Sequence, residues 1–301
     1  MLSTLDLKEN DKVSVSIGDA DISGLDEDIK SAIGDKPVIE LNLLVNGQRV
    51  SWENANAPVT VSIPYSPTEE EMADPEHIVV WYIDSTGKPV SIPNGKYDPS
   101  TGMVTFRITH FSKYAVAFVK KSFNDIENYP WAKKAIEVMA SKGIISGNMQ
   151  GGYDPGKPIT RADFIKLFMN TLELTAEVKS NFEDVKQTDY FYKEVGIAKQ
   201  LGIASGTGNN MFKPNDLITR QDVAVLLEKA LKIAKKPDFN NDKEQLQKFE
   251  DYSDISQYAL DSVANVVSIG LMQGSGGYIK PKDNTTRAEA AVVFYKLYNI
   301  K

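Results

Sequence analysis

Three arginines, Arg161, Arg220 and Arg287, each follow a threonine and open a stretch of helical periodicity, and they recur about every 60 residues. Each threonine (Thr160, Thr219, Thr286) has an acid three residues on (Asp163, Asp222, Glu289), the spacing of an N-cap and the return partner of a capping box. A cation at the first helical position faces the positive end of the helix dipole, which is unfavourable by about 0.3–1 kcal/mol. A bound anion reverses that sign, because exposed helix N–H groups and a guanidinium fork both favour a carboxylate.

Other residues keep step with the arginines. Glycines Gly143, Gly202 and Gly270 are each followed four residues later by another, Gly147, Gly206 and Gly274. Upstream of each pair stand an aromatic (Trp131, Tyr190, Tyr258) and a Phe-x-Asp motif, Phe123-x-Asp125, Phe182-x-Asp184 and Phe249-x-Asp251, the last displaced by one residue. Prolines Pro155, Pro214 and Pro281 precede the arginines at a near-constant distance. A purely structural reading is open for all of them. The aspartates then pair with the arginines to fix helix ends, the aromatics fill a core, and the glycines only turn the chain.

The elements that must position these residues follow from periodicity. Each repeat reads as helix, loop, helix. The first helix carries Trp131, Ala135, Ile136 and Met139 at helical spacing and stops at Gly143, a natural C′ residue. The second starts at the threonine and presents Phe164, Leu167 and Phe168 as an apolar face. One such unit is too small to bury a core comfortably, whereas three can share one. Before Ser122 the pattern differs: alternating, β-branched segments predict strands over 13–17, 38–45, 59–63, 78–83, 103–108 and 114–118, separated by turn signals such as Asn46-Gly47 and Asn94-Gly95. That spacing argues an antiparallel β-sandwich.

Composition narrows the function. The chain has 301 residues, 42% hydrophobic and 25% charged, as expected of a folded protein of two or three domains. It has no cysteine and two histidines, His77 and His110, so disulfides, thiolate chemistry and the usual zinc sites are set aside. A net charge of −7 disfavours nucleic acid and anionic membranes as partners, and no stretch approaches the ~18 apolar residues of a membrane span. Lys235–Glu244 reads as a polar linker. Its Asp238, Asn240 and Asp242 begin an EF-hand-like spacing, but Lys243 stands where such a calcium loop needs Gly and Phe249 where it needs Glu. No cofactor or metal is expected.

The motifs Phe-x-Asp, Trp131-Ala132, Gly143-Ile144-x-x-Gly147 and Ile159-Thr160-Arg161-Ala162-Asp163 resemble those of the S-layer homology (SLH) domain, here as three repeats over 122–180, 181–240 and 248–301 behind a β-rich module at 1–119. The resemblance implies a multidomain chain: an all-β, sandwich-like module followed by an all-α, pseudo-threefold trimer of helix–loop–helix repeats. It implies a binding module rather than an enzyme, one that holds an exported protein noncovalently on secondary cell-wall polysaccharide, commonly pyruvylated, at the bacterial cell surface. A pyruvyl ketal would present its carboxylate to Arg161, Arg220 and Arg287. Trp131, Tyr190 and Tyr258 would stack on the sugar ring. Gly147, Gly206 and Gly274 would let backbone approach closely, and Asp125, Asp184 and Asp251 would complete the sites.

Repeat two departs from the pattern with Tyr190 and Gln221, and repeat three with Tyr258 and with Ile279 where an aromatic is usual, so the grooves need not be equal. Export also makes the start Met1-Leu2-Ser3-Thr4-Leu5-Asp6, which lacks the features of a secretory signal, read as an internal point of a longer protein. Two other roles stay open: the anchor of a surface glycoside hydrolase whose catalytic domain lies upstream, or a module of lattice self-assembly. The β-rich module more weakly resembles GAIN and ZU5-like domains. Its end, Thr109-His110-Phe111-Ser112-Lys113-Tyr114-Ala115-Val116, with Trp81 upstream, is similar to the self-cleaving end of GAIN domains. There His110 would activate Ser112 to break the bond after Phe111, although the cysteine pair is missing and Phe111 replaces Leu.

Overall fold

The protein is described by a computed structural model covering residues 7–55, 57–234, 239 and 242–300. Most of the expected linker, Lys235–Asp238 with Asn240 and Asn241, lies outside the described residues, as do Met1–Asp6. The chain divides into two compact units. One holds the chain up to Ser122 together with Glu137–Ser146; the other holds Phe123–Ile136 and the chain from Gly147 onward.

Among the described residues the first unit contains nine strands: β1 (Val13–Asp19), β2 (Val38–Val45), β3 (Gln48–Val50), β4 (Val59–Pro64), β5 (Ile78–Ile83), β6 (Pro89–Ile92), β7 (Lys96–Asp98), β8 (Met103–Ile108) and β9 (Lys113–Phe118). They form a six-stranded sheet in the order β1-β2-β9-β5-β6, with β3 on β2, and a three-stranded sheet in the order β4-β8-β7; every pairing is antiparallel. Leu41, Ile78, Val80, Tyr114 and Val116 of the larger sheet share one core with Val61, Ile63, Val104, Phe106 and Ile108 of the smaller. Alternation explains this: Val61 and Ile63 are buried while Thr60, Ser62 and Pro64 on either side of them are exposed.

All six expected strands are present, within two residues at each end. The short pieces β3, β6 and β7 went unread, as did two small helices, α1 (Glu27–Ile33) and α2 (Glu69–Ala73). Helix α2 starts on a complete capping box, Thr68 with Glu71, whose buried carboxylate also accepts from the Tyr65 hydroxyl at 2.6 Å and lies 3.3 Å from Lys36 Nζ. At the GAIN-like segment, Ser112 Oγ donates to the carbonyl of Ile83 at 3.2 Å, and the His110 ring stands edge-on to Tyr82. His110 makes no hydrogen bond to Ser112, so the expected Ser–His pair is not assembled.

The second unit is built from α3 (Pro130–Ser141, of which the residues to Ile136 belong here), α4 (Arg161–Leu172), α5 (Tyr192–Gln200), α6 (Arg220–Ile233), α7 (Leu260–Ser268) and α8 (Arg287–Tyr298). The first helix of each repeat stops at its glycine in the left-handed region, Gly143 at φ 74°, Gly202 at 73° and Gly270 at 75°. Helices α4, α6 and α8 each bury an apolar face, and Phe164 of α4 meets Phe294 of α8 at 5.2 Å between ring centres. Between α6 and α7 the buried Glu228 accepts from Ser262 Oγ at 2.7 Å and Asn265 Nδ2 at 2.6 Å.

The second helices open as expected on Thr160, Thr219 and Thr286, each side chain accepting from the backbone N–H three residues on. The capping box is a correction in two of the three. Only Glu289 reaches back to the backbone of its threonine; Asp163 and Asp222, one methylene shorter, accept from the threonine hydroxyl instead.

Candidate functional site

The three Phe-x-Asp aspartates do one job each, and it is the same job. Asp125 accepts from the backbone N–H groups of Tyr153 and Asp154, Asp184 from Phe212 and Lys213, and Asp251 from Ile279 and Lys280, all at 2.7–2.8 Å. The second residue of each pair is left-handed, with φ of 57° at Asp154, 56° at Lys213 and 54° at Lys280. That conformation is costly for a non-glycine residue, and a carboxylate taking two adjacent N–H groups holds it in place. The aspartates therefore clamp the interhelical loop rather than pairing with the arginines.

The carbonyl of the same loop residue receives the arginine of another repeat. Arg161 Nε donates to Phe212 O at 2.9 Å, Arg220 Nε to Ile279 O at 2.9 Å, and Arg287 Nε to Tyr153 O at 2.8 Å. Arg161 and Arg287 also lie over the rings of Phe212 and Tyr153, a contact that Ile279 cannot offer Arg220. The helix starts are tied in the same sense. The N–H groups of Arg161 and Ala162 donate to Asp216 and Pro214, those of Arg220 and Gln221 to Asp283 and Pro281, and those of Arg287 and Ala288 to Lys157 and Pro155. Every repeat thus rests on the next, and the third rests on the first. These donors are spent inside the protein, which corrects the expectation that helix N–H groups stand ready for an anion.

The aromatics are not core residues. Trp131, Tyr190 and Tyr258 are 57%, 60% and 61% exposed. Each meets a repeat other than its own. Tyr190 donates its hydroxyl to Asp163, and Tyr258 donates to Asp222 at 2.8 Å. Burial, then the bond to Asp222, pushes the Tyr258 hydroxyl up to about 12, so it stays a donor at neutral pH. Trp131 has no hydroxyl, and Glu289, which takes the place of those aspartates, pairs with Arg220 Nη1 at 2.5 Å. Arg220 Nη2 donates to Gln273 O at 2.8 Å, and the whole side chain is buried.

A groove is therefore composite: arginine from one repeat, loop and acid from the next, aromatic from the third. Trp131, Arg220, Gln273, Gly274, Thr285 and Glu289 are among the residues lining a cavity of about 420 Å³. Within it Thr285 is 2% exposed and its hydroxyl has no hydrogen-bond partner among the described residues. The glycines have a packing role. A Cβ on Gly147 or Gly274 would lie 2.4 Å from the ring of Phe123 or Phe249, and one on Gly206 would lie 2.6 Å from Met211 O.

The sequence of the three repeats matches a known family. The sequence profile of the S-layer homology domain matches residues 122–165, 181–224 and 248–291. The chain carries three S-layer homology domains. It is 36% identical over 242 residues to an amylopullulanase of Thermoanaerobacterium thermosulfurigenes, a match covering 80% of this chain and 13% of that protein. It is also 36% identical over 183 residues to the exoglucanase XynX of Acetivibrio thermocellus, covering 60% of this chain and 16% of that one. With the surface-layer 125 kDa protein of Lysinibacillus sphaericus it shares 32% identity over 176 residues, 57% of this chain and 14% of that protein. The chain thus spans a small part of the length of these relatives.

Within the SLH repeats, sequence spacing singled out the arginines, the aspartates and the exposed aromatics, but not which repeat serves which groove. It gave no joining role to Tyr153, Phe212 and Ile279, the loop residues that link an aspartate to an arginine. Their signal was their position two residues before the repeated prolines, in a loop that looked like turn chemistry only. No helix among the described residues is long and apolar enough to cross a membrane.

Proposed function

We propose that the SLH repeats hold an exported protein noncovalently on the bacterial cell wall, by binding an anionic, pyruvylated wall polysaccharide in the grooves between repeats. The supporting observation is that each groove unites an arginine with an exposed aromatic from a different repeat, and Trp131 in addition lines a cavity. A guanidinium takes the ketal carboxylate and the ring takes the apolar face of the sugar. The chain itself acts as a binding module with no catalytic role, at the cell surface. The cyclic bonds from repeat to repeat support a pseudo-threefold trimer, and the two sheets sharing one core support a β-sandwich before it.

The test is a pull-down on purified sacculi, native and stripped of pyruvate by mild acid, with Arg161→Ala, Arg220→Ala and Arg287→Ala singly and together. Binding is expected to fall with the pyruvate and with the arginines; undiminished binding by the triple variant refutes the account. One observation favours a second reading of the cargo. The amylopullulanase match covers more of the chain than the repeats alone, so it includes part of the β-rich unit. A chain of this kind then displays a polysaccharide-degrading enzyme rather than a surface lattice, and light scattering that stays monomeric supports the anchor over self-assembly.

A further inference from the structure

The three grooves share a plan but differ in what their acid is doing. In the groove of Arg161, both oxygens of Asp222 are taken, one by the Thr219 hydroxyl at 2.7 Å and the other by the Tyr258 hydroxyl at 2.8 Å. Arg161 is left with a single hydrogen bond, Nε to Phe212 O, and its terminal nitrogens have no partner among the described residues. That guanidinium is half-buried, with desolvation working against its charge and Asp222, Asp216, Tyr258 and Asp184 supporting it. In the groove of Arg220 the aromatic is Trp131, which has no hydroxyl to offer, and the acid is Glu289, one methylene longer. Its Oε2 receives the Thr286 backbone and hydroxyl, and its Oε1 receives Arg220 Nη1. All three nitrogens of Arg220 are engaged. The cavity there has room for a sugar ring, but its cation is already neutralised from within.

We propose that the grooves are ranked by this exchange: a tyrosine that latches the helix acid leaves the Arg161 groove open to an anionic saccharide, whereas Glu289 acts as an internal carboxylate that keeps the Arg220 groove closed until a ligand displaces it. The proposal rests on the saccharide reading above and adds its order of filling. A ligand carboxylate entering at Arg161 meets an unpaired fork. The same carboxylate at Arg220 must break a short, partly buried ion pair first, and the displaced Glu289 then stands beside it with like charge.

Both Nε–H groups are hydrogen-bonded to carbonyls and are separate NMR probes of the two grooves. The full chain is titrated with a methyl hexoside carrying a 4,6-pyruvyl ketal. The Arg161 signal is expected to move at a ligand concentration at least about tenfold below that which moves Arg220. Glu289→Asp copies the shorter acid of the other repeats, which keeps the helix start, and is expected to bring the Arg220 transition down about tenfold. Tyr258→Phe frees Asp222 to reach Arg161 and weakens that groove severalfold. Thermal melts of both variants confirm that the fold is kept. If Arg220 fills first or together with Arg161, or if Glu289→Asp and Tyr258→Phe leave both transitions in place, the ranking is wrong while saccharide binding stands. If neither arginine responds to the ketal, the saccharide reading falls and the ranking with it.

Discussion

Replacing Asp184 isolates the clamp from the rest of the groove. Its two oxygens hold the N–H groups of Phe212 and Lys213 at 2.8 and 2.7 Å, and Phe212 is 1% exposed. Asp184→Ala removes two charge-assisted hydrogen bonds, worth about 1.5–3 kcal/mol each when buried, and leaves at least the Phe212 donor unsatisfied. It also leaves Lys213 left-handed with nothing holding it, at about 1–2 kcal/mol. Allowing for water reaching the exposed Lys213 N–H, we expect a loss of about 3–4 kcal/mol. Asp184→Asn should cost nearly as much, because one of its two ends is an NH₂ that faces a donor. In urea, with a slope of about 2 kcal/mol per molar, the midpoint for the repeat unit should fall by roughly 1.5–2 M in both variants. Adding Lys213→Gly to Asp184→Ala should restore about 1 kcal/mol by relieving the left-handed residue. A midpoint within about 0.3 M of wild type for Asp184→Asn would refute the clamp.

Thr285→Val removes a buried hydroxyl without a partner at nearly constant shape, and should raise stability by about 1 kcal/mol, a Tm gain of roughly 2–4 °C by calorimetry; a lower Tm contradicts it. Gly274→Ala places a methyl group against Phe249 and Tyr278 O and should cost about 1–3 kcal/mol in a thermal melt, whereas a loop with slack would absorb it unchanged. Burial pulls the Lys142 ammonium from 10.5 down to about 7, with its Nζ donating to Ile78 O and Gly95 O. The folded chain therefore binds fewer protons than the unfolded one between those values, so this group makes the β-rich unit more stable as pH rises from about 7 toward 10.5, and least stable below 7. Lys142→Met should abolish that slope in urea midpoints taken at pH 6, 8 and 9.5, and an unchanged slope refutes the assignment.

Periodicity made the strands and the helices legible because each is a one-dimensional pattern. Ile78–Ile83 reads as a strand from its β-branched run, and Thr160 announces α4 whatever surrounds it. Spacing also singled out the arginines, aspartates and aromatics, since a threefold recurrence of rare types needs no alignment. Partnership was not legible. Nothing in the order Trp131, Arg161, Arg220 says that the tryptophan lines the cavity of the second arginine rather than the first, because that follows from how the repeats close on one another. Lys142 shows the other limit. In sequence it is a polar residue at the end of an amphipathic helix, yet the structure buries it in the β-rich unit, where two carbonyls receive its Nζ. The sequence offered the aspartates a pairing with the arginines or a place in the sites, and neither reading named the loop N–H groups beside the left-handed Asp154, Lys213 and Lys280 that the structure gives them.

The bonds that close the ring have a consequence for how such a protein comes into being. Arg287 Nε grips the carbonyl of Tyr153, and the Tyr153 hydroxyl donates to the carbonyl of Arg287, across 134 residues of chain. At about 5–20 residues synthesised per second, the first repeat waits roughly 7–27 s for the partner that completes it. During that interval it has an exposed loop, an unmet carbonyl and bare apolar surface, so it is an unfinished structure. The ring cannot shut before its last helix has been made. A chain of this design stays unlocked until the whole set of repeats has been made, and only then becomes a closed object.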